Sequence, residues 1–246
     1  MSEVRIARFV DMEACRSIFS DYSTFVLRSS EYYKRHHETD RGDEHELEVR
    51  CAGGGGAESS GFVLSCWTRL KSDEPARDEW RIFPDSVVAI VSTPKRVSTF
   101  LARTFEIKKA TRRYPFMFLK HKAVRYADEV AGKITPRNIM DKTVFTKRSK
   151  FSKQREYRFA LAYSIVPHLI DSYILALTSD DYLERCFANP EMCDEQKGTL
   201  LEILLWATAD CGLFCSKKLD EIIANADTLF PGGIEAPRII GLLAQE

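Results

Sequence analysis

The sequence predicts an α+β fold: a strand-rich body with flanking helices, followed by a mainly helical C-terminal portion. Three observations carry that expectation. Short β-rich runs recur through the first two thirds of the chain, at 24–28, 61–68, 86–92 and 157–163. After Asp180 the pattern turns helical, with apolar residues at three- and four-residue spacing from Leu200 through Leu204 and Leu205 to Ile223. The strands gather in the middle and the helical patterns at the two ends, the order of an α+β chain. The body is expected over 1–170, with 171–246 as a helical extension packed on the same domain.

Element by element, residues 1–20 predict a short helix with Val10, Met12, Cys15, Ile18 and Phe19 on one side. Thr24-Phe-Val-Leu-Arg28 predicts a strand, and Ser29-Ser30-Glu31 offers cap chemistry for a helix carrying Tyr32 and Tyr33. Gly53–Gly56 is a flexible connector; no Gly-Lys-Ser/Thr follows it, so it is no phosphate loop. The near-continuous apolar run Ser86–Ser92 predicts a strand buried on both faces. Thr93-Pro94 then starts a helix with proline in its first turn. One or two strands are expected over 114–127, a short helix over 137–146 and a further strand over 171–177.

Composition narrows the class. Of 246 residues, 44% are apolar and 29% charged, the balance of a globular chain. No run reaches the length of a membrane span, and the first residues lack the apolar stretch of a secretory signal, so a cytoplasmic protein away from the membrane is expected. Seven cysteines without a CxxC pair read as reduced thiols. The net charge of zero hides a polarity: residues 103–158 hold 17 Lys plus Arg against 5 Asp plus Glu, whereas 171–246 hold 5 against 14. A basic middle suits a dinucleotide, a nucleic acid or an acidic protein, or is neutralised by the chain's own acidic end.

Within that basic region, Gln154-Arg-Glu156-Tyr-Arg-Phe-Ala-Leu-Ala162 sets a carboxylate at the mouth of a strand, behind Lys147, Arg148, Lys150 and Lys153. Nearby cations favour the ionised form, which suits Glu156 to stabilising a developing cation. The competing reading is a surface ion pair at a strand end. His36, His37, Glu38, Asp40 and His45 fit no established metal-ligand spacing, so no metal site is expected.

Arg28 ends one strand, Ser65-Cys66-Trp67-Thr68 ends the next, and Gln154-x-Glu156 opens a later one. This order resembles the arginine–serine–glutamate arrangement of ADP-ribosyltransferases. The wider set, including Tyr33, Arg41-Gly42-Asp43, Glu79-Trp80 and Glu156-Tyr157-Arg158, is also similar to a bacterial family of unknown function, some of whose members sit near phage-defence and toxin loci. The resemblance covers roughly residues 24–163 and implies a split-sheet ADP-ribosyltransferase-like body that takes NAD as substrate. It implies that Arg28 grips the dinucleotide, Ser65 braces the pocket, Tyr32 or Tyr33 stacks on nicotinamide, Glu156 stabilises the transition state and Gln154 orients the acceptor. A toxin or anti-phage effector is then expected, with a protein or nucleic-acid acceptor met through 103–158 and an antitoxin or other regulatory partner. Two departures matter: Ser-Cys-Trp-Thr stands where the family carries Ser-Thr-Ser, and Gln154 stands where arginine-modifying members carry glutamate. The alternatives are a non-catalytic nucleic-acid- or partner-binding module, and a metal-dependent nuclease-like toxin using Glu38, Asp43 and Glu46.

Overall fold

A computed structural model describes residues 3–19, 24–29, 32–33, 48–51, 54–58, 62–110, 116–135, 137–163, 172–176 and 182–210. Among these residues, eight strands form one sheet organised around β5 (Phe62–Arg69). Along one edge β5 pairs antiparallel with β11 (Glu156–Tyr163), from Phe62↔Ala162 to Thr68↔Glu156, and β11 in turn pairs with β7 (Phe116–Ala123). The other edge is shared. β1 (Ile6–Val10) takes Thr68 and Arg69, while β2 (Thr24–Ser29) takes Val63 and Leu64. The sheet therefore forks beside Ser65–Trp67. One branch continues through β6 (Val88–Ser92) to β13 (Arg185–Ala188), the other to β12 (Ser172–Ala176). Arg8 spans the fork, its Nη2 donating to the Val26 carbonyl at 2.9 Å.

Strand alternation sorts the side chains into layers. On one face Val63, Trp67, Phe159, Leu161, Ile6, Val10, Val88 and Ile90 form the main core. It is closed by α1 (Met12–Phe19), α3 (Pro94–Ala110) and α5 (Asp194–Asp210) through Cys15, Ile18, Val97, Leu101, Leu200 and Ile203. On the other face, Trp80 of α2 (Arg77–Trp80) and Phe83 pack on Ala7, Phe9, Ala89 and Val91, with Phe9 stacked on Phe83 at 4.7 Å. α4 (Ile139–Thr143) and the residues after it pack Met140, Val144 and Phe145 on Leu64 and Ala160 of that same second face. Both sides of β6 are thus covered, the physical reason its sequence is continuously apolar. Thr93 caps α3, its Oγ1 accepting the Arg96 N–H at 3.3 Å ahead of Pro94 in the first turn.

Beside this body lie two small sheets. β3 (Glu48–Cys51) pairs with β4 (Gly56–Glu58) and, in parallel, with β9 (Glu129–Val130); β8 (Arg125–Tyr126) and β10 (Thr146–Lys147) form a parallel ribbon. The β3–β4 turn needs its glycines: Gly54 and Gly55 have φ of 98° and 80°, and a Cβ on Gly56 would stand 2.9 Å from the Val49 carbonyl.

The α+β class stands, with a mostly antiparallel sheet. Two expectations are corrected. Where one helix was expected over 1–20, residues 6–10 are a strand and 12–19 a helix; Asp11 caps the helix through the Ala14 N–H at 2.8 Å, and Arg8 interrupts the apolar run that would have disclosed β1. The chain after Asp180 first supplies β13 before α5, and β12 and β13 both join the main sheet. The rest of the helical pattern, 211–226, lies outside the described residues.

The approach to β11 is held by a second buried acid. Arg155, between the 3₁₀ helix Ser149–Gln154 and β11, has φ 46° and ψ 44°, a left-handed conformation unfavourable for a residue with a Cβ. Its carbonyl accepts the Arg69 N–H at 2.9 Å and its guanidinium pairs with Glu79. Glu79 is fully buried and also accepts the Ala76 N–H at 2.9 Å and the Lys71 N–H at 3.2 Å. Glu79→Ala should therefore lower stability by about 3–5 kcal/mol in urea unfolding, the scale for removing one partner of a buried pair. A loss below about 1 kcal/mol, typical of an exposed pair, would contradict that role.

Candidate functional site: a buried ion cluster beside a basic cleft

The register of β5 decides which expected site residues can meet. Glu156 lies opposite Thr68, Arg158 opposite Cys66, and Arg28 opposite Leu64. Residues paired across strands share a face, and alternate residues along a strand do too. Arg28, Cys66, Glu156 and Arg158 therefore occupy one face of three neighbouring strands, β2, β5 and β11. Ser65 does not. It faces the main core with Trp67 and Phe159, is buried, and its Oγ accepts the Trp67 indole N–H at 2.9 Å. The pocket-bracing role expected of Ser65 is corrected: the β5 residue beside the acid is Cys66, one position on.

Glu156 does form ion pairs, but in the interior and not at the surface, where the competing reading put them. Only 5% of the residue is exposed, and Arg158 and Lys147 are equally enclosed. Arg158 grips the carboxylate with two donors, Nε to Oε1 at 2.7 Å and Nη2 to Oε2 at 3.3 Å. Lys147 Nζ donates to Oε2 at 3.2 Å, and Cys66 is a further hydrogen-bond partner. A carboxylate offers about four acceptor positions, so these donors fill them. Burial pushes the Glu156 pKa up, but the charges of Arg158 and Lys147 outweigh it and hold the group well below the usual carboxylate range. The Glu156 N–H donates to the Tyr126 hydroxyl at 2.6 Å, and burial, with the Glu156 charge, pushes that phenol up to about 12.

These bonds fasten a segment. Arg158 Nη1 donates to the Val144 carbonyl at 2.7 Å, and Lys147 also donates to the Gln154 amide oxygen at 3.0 Å. The cluster thereby ties residues 144–147 and the end of the 3₁₀ helix to β11. Gln154, expected to orient an acceptor, is buried and engaged with Lys147. Arg28 is half-buried with its guanidinium over the Tyr32 ring at 4.2 Å, and Tyr32 meets Tyr33 edge-on at 5.7 Å. Tyr33 hydrogen-bonds Cys66, and burial, then the neighbouring Cys66, raises its pKa well above the ordinary phenol value.

Lys147 also belongs to the wall of an open cleft. The cleft, of about 730 Å³, is lined by Lys147, Arg148, Arg50 and Thr146, with Glu48 and Asp128 on its walls. Its size is that of small-molecule sites generally. Asp128 Oδ1 accepts the Ser149 N–H at 3.0 Å, which fixes the start of the 3₁₀ helix at the rim. Among the described residues, Lys147 links the two, pairing with Glu156 and belonging to the cleft wall. Among the described residues no group of three His, Cys, Asp or Glu converges for a metal, and Glu38, Asp43 and Glu46 lie outside them. No described helix is long and apolar enough to cross a membrane.

Sequence reasoning singled out Glu156 and the cations beside it, Lys147 among them, quoted Cys66 and Arg158 without a role at the acid, and did not reach Tyr126 or Arg50. Arg158 carried a signal, since a cation two residues along a strand shares the face of the acid. Comparison with protein-family models, with curated proteins and with solved structures finds no match.

Glu156→Gln should cost about 3–5 kcal/mol, because it leaves two buried cations without their counter-charge. The pH dependence has a defined sign. A carboxyl depressed on folding contributes stability that is complete above its unfolded pKa of about 4.3 and is lost as pH falls towards the folded value. Wild-type stability followed by urea unfolding should therefore fall below about pH 5 more steeply than that of Glu156→Gln. Parallel acid limbs for the two proteins would contradict the cluster.

Proposed function

We propose that the protein binds a phosphate-bearing ligand of nucleotide size in the Lys147 cleft, with the Glu156–Arg158 pair as the buried buttress of that site. The observation that carries this reading is a cleft of about 730 Å³ whose wall includes three basic residues, Arg50, Lys147 and Arg148. Guanidinium forks suit phosphate oxygens, and an ammonium held in place by Glu156 and Gln154 loses little freedom on binding. ADP-ribose is the first probe, since it carries the diphosphate and ribose expected of NAD. Calorimetry should find saturable binding, weakened about tenfold or more by Arg148→Ala and by Arg50→Ala, the range for losing a charged hydrogen bond. No binding, or binding indifferent to both substitutions, would overturn the reading.

A second reading, ADP-ribosyl transfer from NAD in an ADP-ribosyltransferase-like split-sheet body, is favoured by one observation. Arg28, Cys66 and Glu156 share a face of three adjacent strands, with Tyr32 against Arg28. The filled acceptor positions of Glu156 count against it, because a ribose hydroxyl could be received only after Lys147 or Cys66 gives way. Nicotinamide release from NAD, reduced at least about 100-fold in Glu156→Gln assayed where circular dichroism shows it folded, would establish transfer. Undetectable release in wild type would remove it.

A further inference from the structure

We infer that the ligand of this cleft is single-stranded nucleic acid, an inference that rests on the phosphate-binding reading above. Next to Lys147 and Arg148 of the cleft wall stands an aromatic ring with cations over it. Phe151, half-buried on the 3₁₀ helix, has the heads of Lys147, Lys150 and Arg148 at 4.7, 4.9 and 5.7 Å from its ring centre. Two of those residues, Lys147 and Arg148, also belong to the cleft wall, so the ring is a neighbour of the cleft. Beyond the ring, Lys150 and Lys153 are exposed, and no acid occurs from Lys147 to Arg155. Arg125, on the ribbon paired with β10, is exposed as well.

The arrangement exceeds what one nucleotide needs. A ligand filling the cleft meets Lys147, Arg148 and Arg50, but Lys150 and Lys153 are not among the residues lining it. Only a ligand with further phosphates in a row engages both sets. An aromatic face beside a basic groove is the pairing that single strands use, since every base offers a π-face and every step a phosphate. A duplex keeps its bases stacked on one another and offers nothing to Phe151. An acidic protein would meet Glu48 and Asp128 on the cleft walls and gain nothing from the ring.

The test is fluorescence anisotropy on the full chain with a labelled single-stranded oligonucleotide of about 12 nucleotides, a length within the usual site sizes. Duplex of the same length and an acidic peptide of matched charge serve as competitors, and ADP-ribose affinity is measured alongside. The strand should bind at least about tenfold more tightly than ADP-ribose, with affinity falling steeply with salt. Phe151→Leu should cost about tenfold in strand affinity, a larger loss than it causes for ADP-ribose. Lys150→Ala combined with Lys153→Ala, both exposed, should flatten the salt dependence. Strand binding no tighter than that of ADP-ribose, equal competition by duplex or acidic peptide, or indifference to Phe151→Leu would overturn the inference and leave the phosphate-binding reading standing. Failure of ADP-ribose and strand alike would overturn both.

Discussion

A carboxylate enclosed with two cations is the constraint on which the functional region depends. Taking Glu156, Arg158 and Lys147 out of water is costly, and the expense is recovered only through close geometry and filled hydrogen-bonding positions. The structure meets both conditions: the Arg158 fork on Glu156, Lys147 on its second oxygen, and the remaining donors on the Val144 carbonyl and the Gln154 amide. The consequence is positional. The chain from Val144 to Gln154 is anchored at its start by Val144 and Phe145 in the second core, and it carries Lys147 and Arg148 to the cleft. Because Lys147 and Gln154 hang on the ion cluster, the cleft owes its shape to charge geometry as well as to apolar packing.

β5 is the axis on which this depends. One edge runs along β11, and the other is divided between β1 and β2, with Arg8 tying the branches together across the gap. The division lets the sheet carry helices α1, α3 and α5 on one face while α2, α4 and the ion cluster cover the other. Ahead of β11, left-handed Arg155 turns the chain sharply and commits its side chain to Glu79, where a glycine would relieve the backbone but forfeit the pair. Two buried acids thus act on adjacent residues from different directions, one steering the chain into the strand and the other fastening its first turn of side chains.

The parts of the fold that were legible in the sequence are those where apolar runs end in turn residues. β2, β5, β6 and α3 are of this kind, and Thr93-Pro94 marked its helix start directly. β1 was hidden because Arg8 breaks its apolar run, and that arginine has its reason in the fork, which no local pattern discloses. β3, β4, β8, β9 and β10 have two to four residues each, with partners chosen by tertiary contact. At the site, a carboxylate at a strand mouth among cations was legible, and Glu156 is indeed the centre of a charge network. Which cation would be buried against it was not, since Lys147, Arg148, Lys150 and Lys153 look alike until the strand register is known. Ser65 and Cys66 illustrate the same limit: both faces of β5 are covered, so alternation alone does not say which residue shares the face of the acid.

The central claim is that Glu156 is a fixed counter-ion of Lys147 and that ligands meet Lys147 from the cleft. A crystal structure of the protein with ADP-ribose tests this most directly. The account predicts phosphate oxygens within hydrogen-bonding distance of Lys147 and Arg148, with the Glu156–Arg158 pair intact. A ribose hydroxyl on the Glu156 carboxylate, with the ligand lying along Arg28 and Tyr32, would contradict it.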